Sequence, residues 1–289
     1  MKYIFLIFTA GSFLFFSCNN PSKGSPDFTI EYSSIPGVDP NLLSLDIYNE
    51  GITGPAPVVI WVHGGGWAIG DKSNGMEFKE ELCKQNNYVL VSVNYRLTSA
   101  GNGVQHPVHV QDVAKAVAWT YENISQYSGD SSKIVIMGHS SGAHLAALLC
   151  TDETYLEAEG YDLGIIDGCG SFDTEAYDIP TSMANGNEDN SIYLNAFTGD
   201  SNIWLQASPL SHIAPGKNIP SYFLLARRGN TNRQQICNNF GSSLSAALVN
   251  VNIIDATSIN HEQVNDFIGA PDDPIMTPYV VDFLQVAFN

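Results

Sequence analysis

Apolar and polar positions follow two different patterns along this chain. Near its start, "FTIEYSSIPG" and "NLLSLDIYNE" alternate, which predicts an antiparallel strand pair. The runs "APVVIWV" and "YVLVSV" are almost continuously apolar, as strands buried on both faces are. We also predict strands in "SKIVIMGHS", "LGIIDGCGSFD", "PSYFLLARRG" and "VNIIDAT", with segments of helical spacing between them. This succession of strands and helices indicates an α/β fold with a mostly parallel central sheet flanked by helices.

One stretch breaks this pattern. Residues 178–215 are rich in Asn, Gly and Ser, with scattered aromatic residues. A connection of this length inside a compact domain is usually functional or disordered. We therefore predict a small lid-like insertion, or a pocket wall, at about residues 178–215.

The N-terminus has the pattern of an export signal. A short basic start, "MKY", precedes the apolar run "IFLIFTAGSFLFFSC", which is too short to be read first as a membrane span. The run ends in "LFFSC", which resembles a bacterial lipobox and makes Cys18 the candidate lipidation site; ordinary signal cleavage nearby is the alternative. We expect a signal peptide over 1–18, a flexible tether over 19–27 and one domain over 28–289. The expected location is that of an exported bacterial lipoprotein, anchored in the periplasm or at the outer membrane.

Charge narrows the set of partners. The 289 residues include 12 Lys+Arg and 30 Asp+Glu, a formal net charge of −18. Such a surface repels phosphate backbones and anionic lipid, so we expect no nucleic acid partner and membrane contact only through the anchor. An oxidising compartment permits disulfides, and both bridges and buried free thiols stay open for the four remaining cysteines, Cys83, Cys150, Cys169 and Cys237.

The sequence "GHSSG" fits the pattern G-x-S-x-G with Ser140 at its centre. A predicted strand leads in and a predicted helix leads out, as in a nucleophile elbow, where the serine sits on a tight turn above the sheet. Ser141 lies off the centre, but its backbone N–H starts the helix, where an oxyanion can bind. The alternative is a glycine-rich turn with a capping serine.

A second glycine motif, "HGGGW", follows a buried strand directly. Together "VIWVHGGGWAIGDKS", "VLVSVNYRL", "DSSKIVIMGHSSGAHLAAL" and "HEQVN" resemble an α/β-hydrolase of the esterase/lipase type, near the hormone-sensitive-lipase-like and feruloyl-esterase-like carboxylesterases. The resemblance covers most of residues 50–289. It implies Ser140 as nucleophile, an oxyanion hole formed by the N–H groups of Gly65, Gly66 and Ser141, and loop-shaping roles for His63 and Trp67.

Elimination among the seven histidines favours His261 as the base. It follows the "VNIIDAT" strand, in a predicted loop before the closing helix, and fits the chain order Ser…acid…His of α/β-hydrolases. His212, in the insertion, is the reserve and is expected to contact substrate instead. "HEQVN" lacks the second histidine of an HExxH zinc motif, since Asn265 stands there. No metal or organic cofactor is expected.

The acid departs from the family pattern. Most relatives place it after the seventh strand in a stretch resembling HGxxD, but residues 228–232 read "RGNTN" and put Asn232 at that position. An amide cannot supply the charge that stabilises an imidazolium. We therefore predict Asp173, at the end of "CGSFD", because catalytic groups gather at the carboxyl edge of such sheets. Three other carboxylates stay open: Asp178, Asp255 and Glu262.

These features predict a serine hydrolase that cleaves carboxylic esters through an acyl-enzyme, with acyl groups on carbohydrates as one substrate class. The alternatives are amide or peptide cleavage at the same site, and a non-catalytic binding protein on a degenerate hydrolase scaffold, which Asn232 supports. Because the insertion is short, we expect a preference for short or aromatic acyl groups, with Phe197 and Trp204 walling the acyl site.

Overall fold

The computed structural model of the protein describes residues 24–186 and 190–289. The predicted signal peptide and Cys18 lie outside the described residues. At the start of the described chain, the backbone N–H of Gly24 donates to Glu80 at 2.8 Å. Within the described ranges, no helix combines the length and the apolar character that crossing a membrane requires.

Eight strands form one sheet over the described residues, in the order β1-β2-β4-β3-β5-β6-β7-β8. Strand β2 pairs antiparallel with β1 and with β4, and every other pairing is parallel. The mostly parallel sheet and the antiparallel start predicted from the sequence are therefore confirmed. The strands are β1 (Phe28–Glu31), β2 (Ser44–Tyr48), β3 (Ala56–Val62), β4 (Val89–Val93), β5 (Gly129–His139), β6 (Gly168–Phe172), β7 (Tyr222–Arg227) and β8 (Asn250–Asp255).

Helices fill the connections between the strands. They are α1 (Glu77–Gln85), α2 (Val108–Asn123), α3 (Ser141–Thr151), α4 (Thr154–Glu157), α5 (Ile179–Asn185), α6 (Asn190–Phe197), α7 (Ser201–Gln206), α8 (Thr231–Ala246), α9 (His261–Asp266) and α10 (Thr277–Ala287). Helices α5, α6 and α7 lie in the predicted insertion. The predicted strand "LGIIDGCGSFD" is shorter than expected, because Leu163–Ile165 form a 3₁₀ turn and only Gly168–Phe172 pair.

The core lies on both faces of the sheet. Successive residues of a strand point to opposite faces, and β3 shows this well. Val58, Ile60 and Val62 pack with residues of α2, α3 and α8, whereas Val59 and Trp61 pack with residues of α1, α9 and α10. Both faces are apolar because both are covered, which is why the sequence of this strand runs apolar without alternation.

The register of three neighbouring strands sets the position of the site. Val62 at the end of β3 lies beside Gly138 in β5, and His139 at the end of β5 lies beside Phe172 at the end of β6. The residues that follow each strand therefore emerge side by side at the carboxyl edge of the sheet. These residues are the glycine loop after β3, Ser140 after β5 and Asp173 after β6.

All four cysteines of the described domain are buried free thiols: Cys83, Cys150, Cys169 and Cys237. Burial raises the pKa of Cys83 and of Cys237 to about 12. The sequence left disulfide bridges and buried free thiols open, and the structure has free thiols at all four of these positions. Their place is the core, where they behave as small apolar side chains.

Candidate active site

Ser140 sits on a strained turn between β5 and α3. Its backbone has φ 57° and ψ −121°, a combination that non-glycine residues rarely adopt. Its N–H donates to the carbonyl of Phe172 at 2.9 Å, which ties the turn to β6. A Cβ on Gly142 would lie 2.1 Å from the carbonyl oxygen of Val62, so the tight turn requires glycine there. This is the geometry of a nucleophile elbow.

The side chains of Ser140, His261 and Asp173 form a chain of hydrogen bonds. The Ser140 hydroxyl lies 3.0 Å from His261 Nε2, and His261 Nδ1 lies 2.6 Å from Asp173 Oδ2. Because a carboxylate only accepts, Nδ1–H donates to Asp173, which leaves the Nε2 lone pair to accept the serine proton. The structure thus brings to His261 two residues that lie 88 and 121 positions before it in sequence.

A short helix holds His261 in place. His261 is the first residue of α9, not part of a loop as the sequence suggested. Asn260 caps this helix by accepting from the N–H of Gln263, and the Gln263 side chain accepts from the N–H of Asn260. Such a reciprocal capping box fixes the first turn of a helix, and here that turn carries the imidazole.

Two arginines surround the Asp173 carboxylate, which is 1% exposed. Arg233 donates from Nε to Asp173 Oδ1 at 3.0 Å and from Nη2 to the Asp173 carbonyl at 2.8 Å. Arg228 donates from Nε to Oδ2, the same oxygen that His261 uses. Burial alone would raise the pKa of Asp173, but the His261 hydrogen bond and the charge on Arg233, with a further hydrogen bond from Arg228, hold that pKa well below its usual range.

The other candidate acids are engaged elsewhere. Asp178 caps α5 by accepting from the N–H of Thr181, and Asp255 is exposed and pairs with Arg227 at 2.9 Å. Glu262 borders the same cavity as His261 but follows it directly in sequence. Asn232 is exposed in the first turn of α8. Among these candidates, Asp173 is the residue whose carboxylate contacts the imidazole.

His139 is a member of the site that sequence reasoning left unassigned. Its Nε2–H donates to the carbonyl of His261 at 2.9 Å, and the two rings lie 4.4 Å apart. Burial, with the neighbouring His261, lowers the pKa of His139 to about 3, so its ring is neutral. The position gave a signal, since it is the residue before the nucleophile, but a serine elbow does not require histidine there.

Donor atoms of His139, Asp173 and His261 lie within 4.8 Å of one another, close enough to consider a metal. The hydrogen bonds argue against that use. His139 Nε2 and His261 Nδ1 both carry protons, and both oxygens of Asp173 accept from arginine. A metal ligand needs a free lone pair, so the cluster fits a set of hydrogen bonds that orients His261 and not a cation site.

The glycine loop after β3 lies against the turn at Ser140, since a Cβ on Gly64 would lie 3.1 Å from the Cβ of Ser140. Gly65 has φ 122°, and a Cβ there would lie 2.0 Å from the carbonyl oxygen of Ile69. The loop closes on itself, with the N–H of Ile69 donating to the Gly65 carbonyl at 3.0 Å. In the described part of the chain, the N–H groups of Gly65, Gly66 and Ser141 have no backbone acceptor. They are therefore available to a developing oxyanion.

Two aromatic contacts brace this loop. His63 bonds through Nδ1 to the Gly64 carbonyl at 2.7 Å and stacks on Tyr95 with ring centres 4.5 Å apart. The Trp67 indole donates to His144 Nδ1 at 3.2 Å. His144 lies in α3, the helix after Ser140, and is fully buried. Among the described residues, the hydrogen bonds and ring contacts of His63 and Trp67 go to other residues than Ser140 and His261, which is compatible with the loop-shaping roles that the resemblance implies.

A cavity of about 590 Å³ opens over the serine. Its wall has an apolar part and a polar part. The apolar part includes Ile69, which is 70% exposed, and Ile192, which is 39% exposed. Beyond the residues already described, the polar side chains of the wall are Asn74, Thr174, Glu175, Glu262 and Asn265.

The insertion contributes to this wall through different residues than expected. Ile192 and Tyr193 of α6 border the cavity, whereas the prediction for Phe197 and Trp204 is wrong. Phe197 is 1% exposed and packs edge-on against Trp67, at 4.7 Å between ring centres. The Trp204 indole donates to the Thr198 carbonyl at 3.0 Å. Phe197 therefore packs the insertion against the glycine loop, and Trp204 holds the turn between α6 and α7.

His212 does not contact the cavity either. Its Nε2–H donates to the Gln206 carbonyl at 2.8 Å, and its Nδ1 lies 3.5 Å from Asp152. The expectation that His212 contacts substrate is therefore wrong. It holds the end of the insertion to the segment after α3.

Comparison with known proteins agrees with this geometry. The chain is 40% identical over 116 residues to "Esterase LipQ" of Mycobacterium tuberculosis, a match of 39% of this chain and 26% of that protein. It is 29% identical over 198 residues to "Probable carboxylic ester hydrolase LipM" of the same organism, covering 65% of this chain and 45% of that one. The chain thus spans less than half the length of these two relatives.

Solved structures share the fold. A truncated carbohydrate esterase from gut microbiota superposes with a TM-score of 0.72 at 18% identity, covering 92% of this chain and 98% of that one. Esterase B from Lactobacillus rhamnosis superposes with a TM-score of 0.71 at 18% identity, covering 91% and 88%. These likenesses confirm the α/β-hydrolase fold. The BD-FAE family model matches residues 45–234, well over half of the sequence, and the chain belongs to the BD-FAE family.

Proposed function

We propose that this protein is a serine esterase that cleaves carboxylic esters through an acyl-enzyme. One observation carries the proposal: the hydrogen-bonded chain from Ser140 through His261 to Asp173. The glycine loop beside it offers N–H groups where a tetrahedral intermediate would carry negative charge. The esterase names of the relatives support the same reaction.

The geometry supports a two-step reaction. In the first step His261 Nε2 takes the hydroxyl proton as Ser140 Oγ attacks the ester carbonyl, and the resulting oxyanion accepts from the N–H groups of Gly65, Gly66 and Ser141. The intermediate collapses, the C–O bond to the alcohol breaks, and His261 passes its proton to the leaving oxygen. In the second step water attacks the acyl-enzyme, again giving its proton to His261, and the carboxylic acid leaves as Ser140 regains its proton. Asp173 stays ionised and stabilises each imidazolium.

The cavity supports a substrate with one apolar part and one polar part. The apolar wall at Ile69 and Ile192 suits a short or aromatic acyl group, and the polar wall suits a hydroxylated alcohol. Acyl groups on carbohydrates meet this description, and one structural neighbour is a carbohydrate esterase. We propose esters of this kind as the substrate class.

Covalent labelling tests the nucleophile. A fluorophosphonate probe should add one phosphonyl group to the wild type, and Ser140→Ala should remain unlabelled by intact mass. Ser132→Ala is the matched control, since Ser132 is an exposed serine at the other end of the same strand. Equal labelling of Ser140→Ala and wild type rules out Ser140 as the nucleophile. A wild type that does not react at all favours the binding-protein alternative.

A chain-length series tests the acyl preference. We expect kcat/KM for p-nitrophenyl acetate, and for p-nitrophenyl esters of aromatic acids, to exceed kcat/KM for p-nitrophenyl palmitate. Ile192→Ala should raise the butyrate-to-acetate ratio several-fold, because Ile192 leans over Gly66 in the cavity wall. Leu205→Ala, at an exposed leucine of α7 away from the cavity, is the control. A palmitate that is cleaved better than the acetate contradicts the proposed preference.

We further propose that the protein is exported and anchored through lipid on Cys18. The sequence "LFFSC" after an apolar run supports this. An anchored enzyme of this kind would act on esters outside the cytoplasm.

A further inference from the structure

Arg228 occupies a special position in the candidate active site. Its Nε donates to Asp173 Oδ2, the oxygen that also accepts from His261. The side chain is 21% exposed and borders the cavity. One edge of the guanidinium is therefore fixed, and the rest of the group lies in the cavity wall.

The remaining donors of Arg228 are uncommitted. A guanidinium has five N–H donors in a planar fork. Only the Nε–H of Arg228 has an acceptor among the described residues, so the four Nη–H donors have none there. Arg233 differs, because its side chain is 7% exposed and binds both the carboxylate and the carbonyl of Asp173. Of the two arginines, Arg228 is the one that can bind a ligand.

We propose that Arg228 binds a carboxylate on the alcohol part of the substrate, so that the enzyme prefers esters whose alcohol carries an acid group. This inference rests on the proposed function and adds the substrate class. An arginine fork matches a carboxylate in shape and charge, and fixing Nε beforehand lowers the entropy lost on binding. Thr174, also in the cavity wall, accepts from the N–H of Ala176 through its Oγ1, which leaves its hydroxyl proton for the same ligand.

The position of Arg228 specifies the alcohol part. The leaving oxygen takes its proton from His261, so the alcohol lies on the His261 side of the serine. Arg228 shares an Asp173 oxygen with His261 and lies on that side as well. The apolar residues Ile69 and Ile192, by contrast, border the cavity beside the glycine loop.

A matched set of aryl esters tests the proposal. The probes are 3- and 4-carboxyphenyl acetate, their neutral carboxamide analogues, and the hydroxymethyl analogue. For each enzyme the ratio of kcat/KM for the carboxylate to that for the carboxamide is measured. Comparing this ratio between variants cancels the intrinsic reactivity of each ester, and it also cancels any common loss caused by weaker bracing of Asp173.

Arg228→Gln should lower this ratio about tenfold or more for at least one of the two positional isomers. Arg228→Lys should give an intermediate ratio, because the charge remains without the fork. Arg227→Gln removes the same charge from the neighbouring residue, which pairs with Asp255, and should leave the ratio unchanged.

Three outcomes separate the possibilities. If Arg228→Gln lowers kcat/KM equally for the carboxylate and carboxamide esters, Arg228 only positions Asp173 and the proposal is overturned. If Arg228→Gln lowers kcat/KM for the hydroxymethyl ester as much as for the carboxylate ester, the arginine binds neutral hydroxyl groups and the carboxylate assignment fails. If the wild type cleaves none of the esters and Ser140 does not react with the fluorophosphonate, the proposed function itself fails.

Discussion

Asp173 depends on charges supplied by the segment that follows β7. A buried carboxylate is costly unless it is paired and hydrogen-bonded, and Asp173 meets that need through Arg228 and Arg233. Both arginines come from the stretch where the resemblance leads one to expect the acid itself. The stretch after β7 therefore supports the acid instead of supplying it. The carboxylate has moved one strand along the carboxyl edge of the sheet.

Replacing Asp173 by Asn tests this arrangement. The amide cannot stabilise an imidazolium and can hold the wrong tautomer, so we expect kcat to fall by about 10⁴-fold, as in the best-studied triad. The measurement is kcat on p-nitrophenyl acetate, with circular dichroism to confirm folding. The variant also leaves two partly buried guanidinium groups without their carboxylate, so a lower melting temperature is expected.

Two further variants complete the comparison. Asp255→Asn should have near-normal kcat, because Asp255 is exposed and pairs with Arg227 and Thr257. Asn232→Asp should also change kcat little, because that side chain is exposed on α8. A folded Asp173→Asn enzyme with near-normal kcat would exclude Asp173 as the acid.

At the scale of elements, the sequence predicted the strands better than the short helices. Strands β3 and β4 are covered on both faces, so their burial appears directly as apolar runs. Helix α9 has only six residues and polar composition, and its start is set by the Asn260–Gln263 capping box. Periodicity cannot detect one and a half turns, so His261 was assigned to a loop.

The site was predictable where one motif fixes the geometry. The elbow at Ser140 follows from glycine spacing between a strand and a helix. The lining of the cavity was not predictable, because it depends on how the insertion packs. Phe197 is apolar and aromatic, but the fold places it behind Trp67 and puts Ile192 in the wall. The two arginines on Asp173 were missed because their role appears only when the segment after β7 lies beside the residue that ends β6.

One buried lysine connects two elements beneath the site. Lys79 of α1 is 3% exposed and donates to the carbonyls of Gly75 and Asn265, each at 3.0 Å. Asn265 lies in α9, the helix that begins with His261. Lys79 Nζ also lies 4.5 Å from the ring centre of Trp61. This side chain therefore fixes the helix that carries the base.

Lys79 should make stability depend on pH in a defined window. Burial lowers the pKa of Lys79 to about 7, against about 10.4 in an unfolded chain. Between these values the unfolded state binds more protons than the folded state, so the free energy of unfolding rises with pH, by up to about 1.4 kcal/mol per pH unit. Below about pH 7 both states are protonated and this contribution is flat.

Urea denaturation of wild type and Lys79→Met at several pH values between 5.5 and 9 measures this effect. The difference in unfolding free energy, wild type minus variant, should be flat up to about pH 7 and then increase. Lys84→Met is the control, since Lys84 is on the same helix but pairs with Glu50 at the surface and should add no slope in this window. A difference that stays constant from pH 7 to 9 contradicts the assignment.

At the scale of the whole molecule, the net charge and the N-terminus both bear on how the protein would attach to a membrane. The net charge of −18 makes the domain repel an anionic membrane surface. The apolar residues exposed on the described domain include Ile69 and Ile192 at the cavity, but no helix there is suited to cross a bilayer. We therefore expect membrane attachment to depend on the proposed lipid at Cys18 and not on the surface of the domain.

This gives a prediction that separates covalent anchoring from adsorption. Expressed in a bacterial host, the wild type should stay with the membranes in 1 M NaCl and be released by detergent, because an acyl anchor is insensitive to salt. Its N-terminal peptide should begin at Cys18 and carry a lipid mass. Cys18→Ala should lack that mass, but an uncleaved signal could still hold it in the membrane.

A second variant therefore replaces residues 1–18 with the signal peptide of a soluble exported protein. This variant should appear entirely in the soluble fraction, because an anionic membrane surface repels the acidic domain. A wild-type N-terminus other than a lipidated Cys18, or a second variant that remains on the membranes, would show that the protein is held in another way.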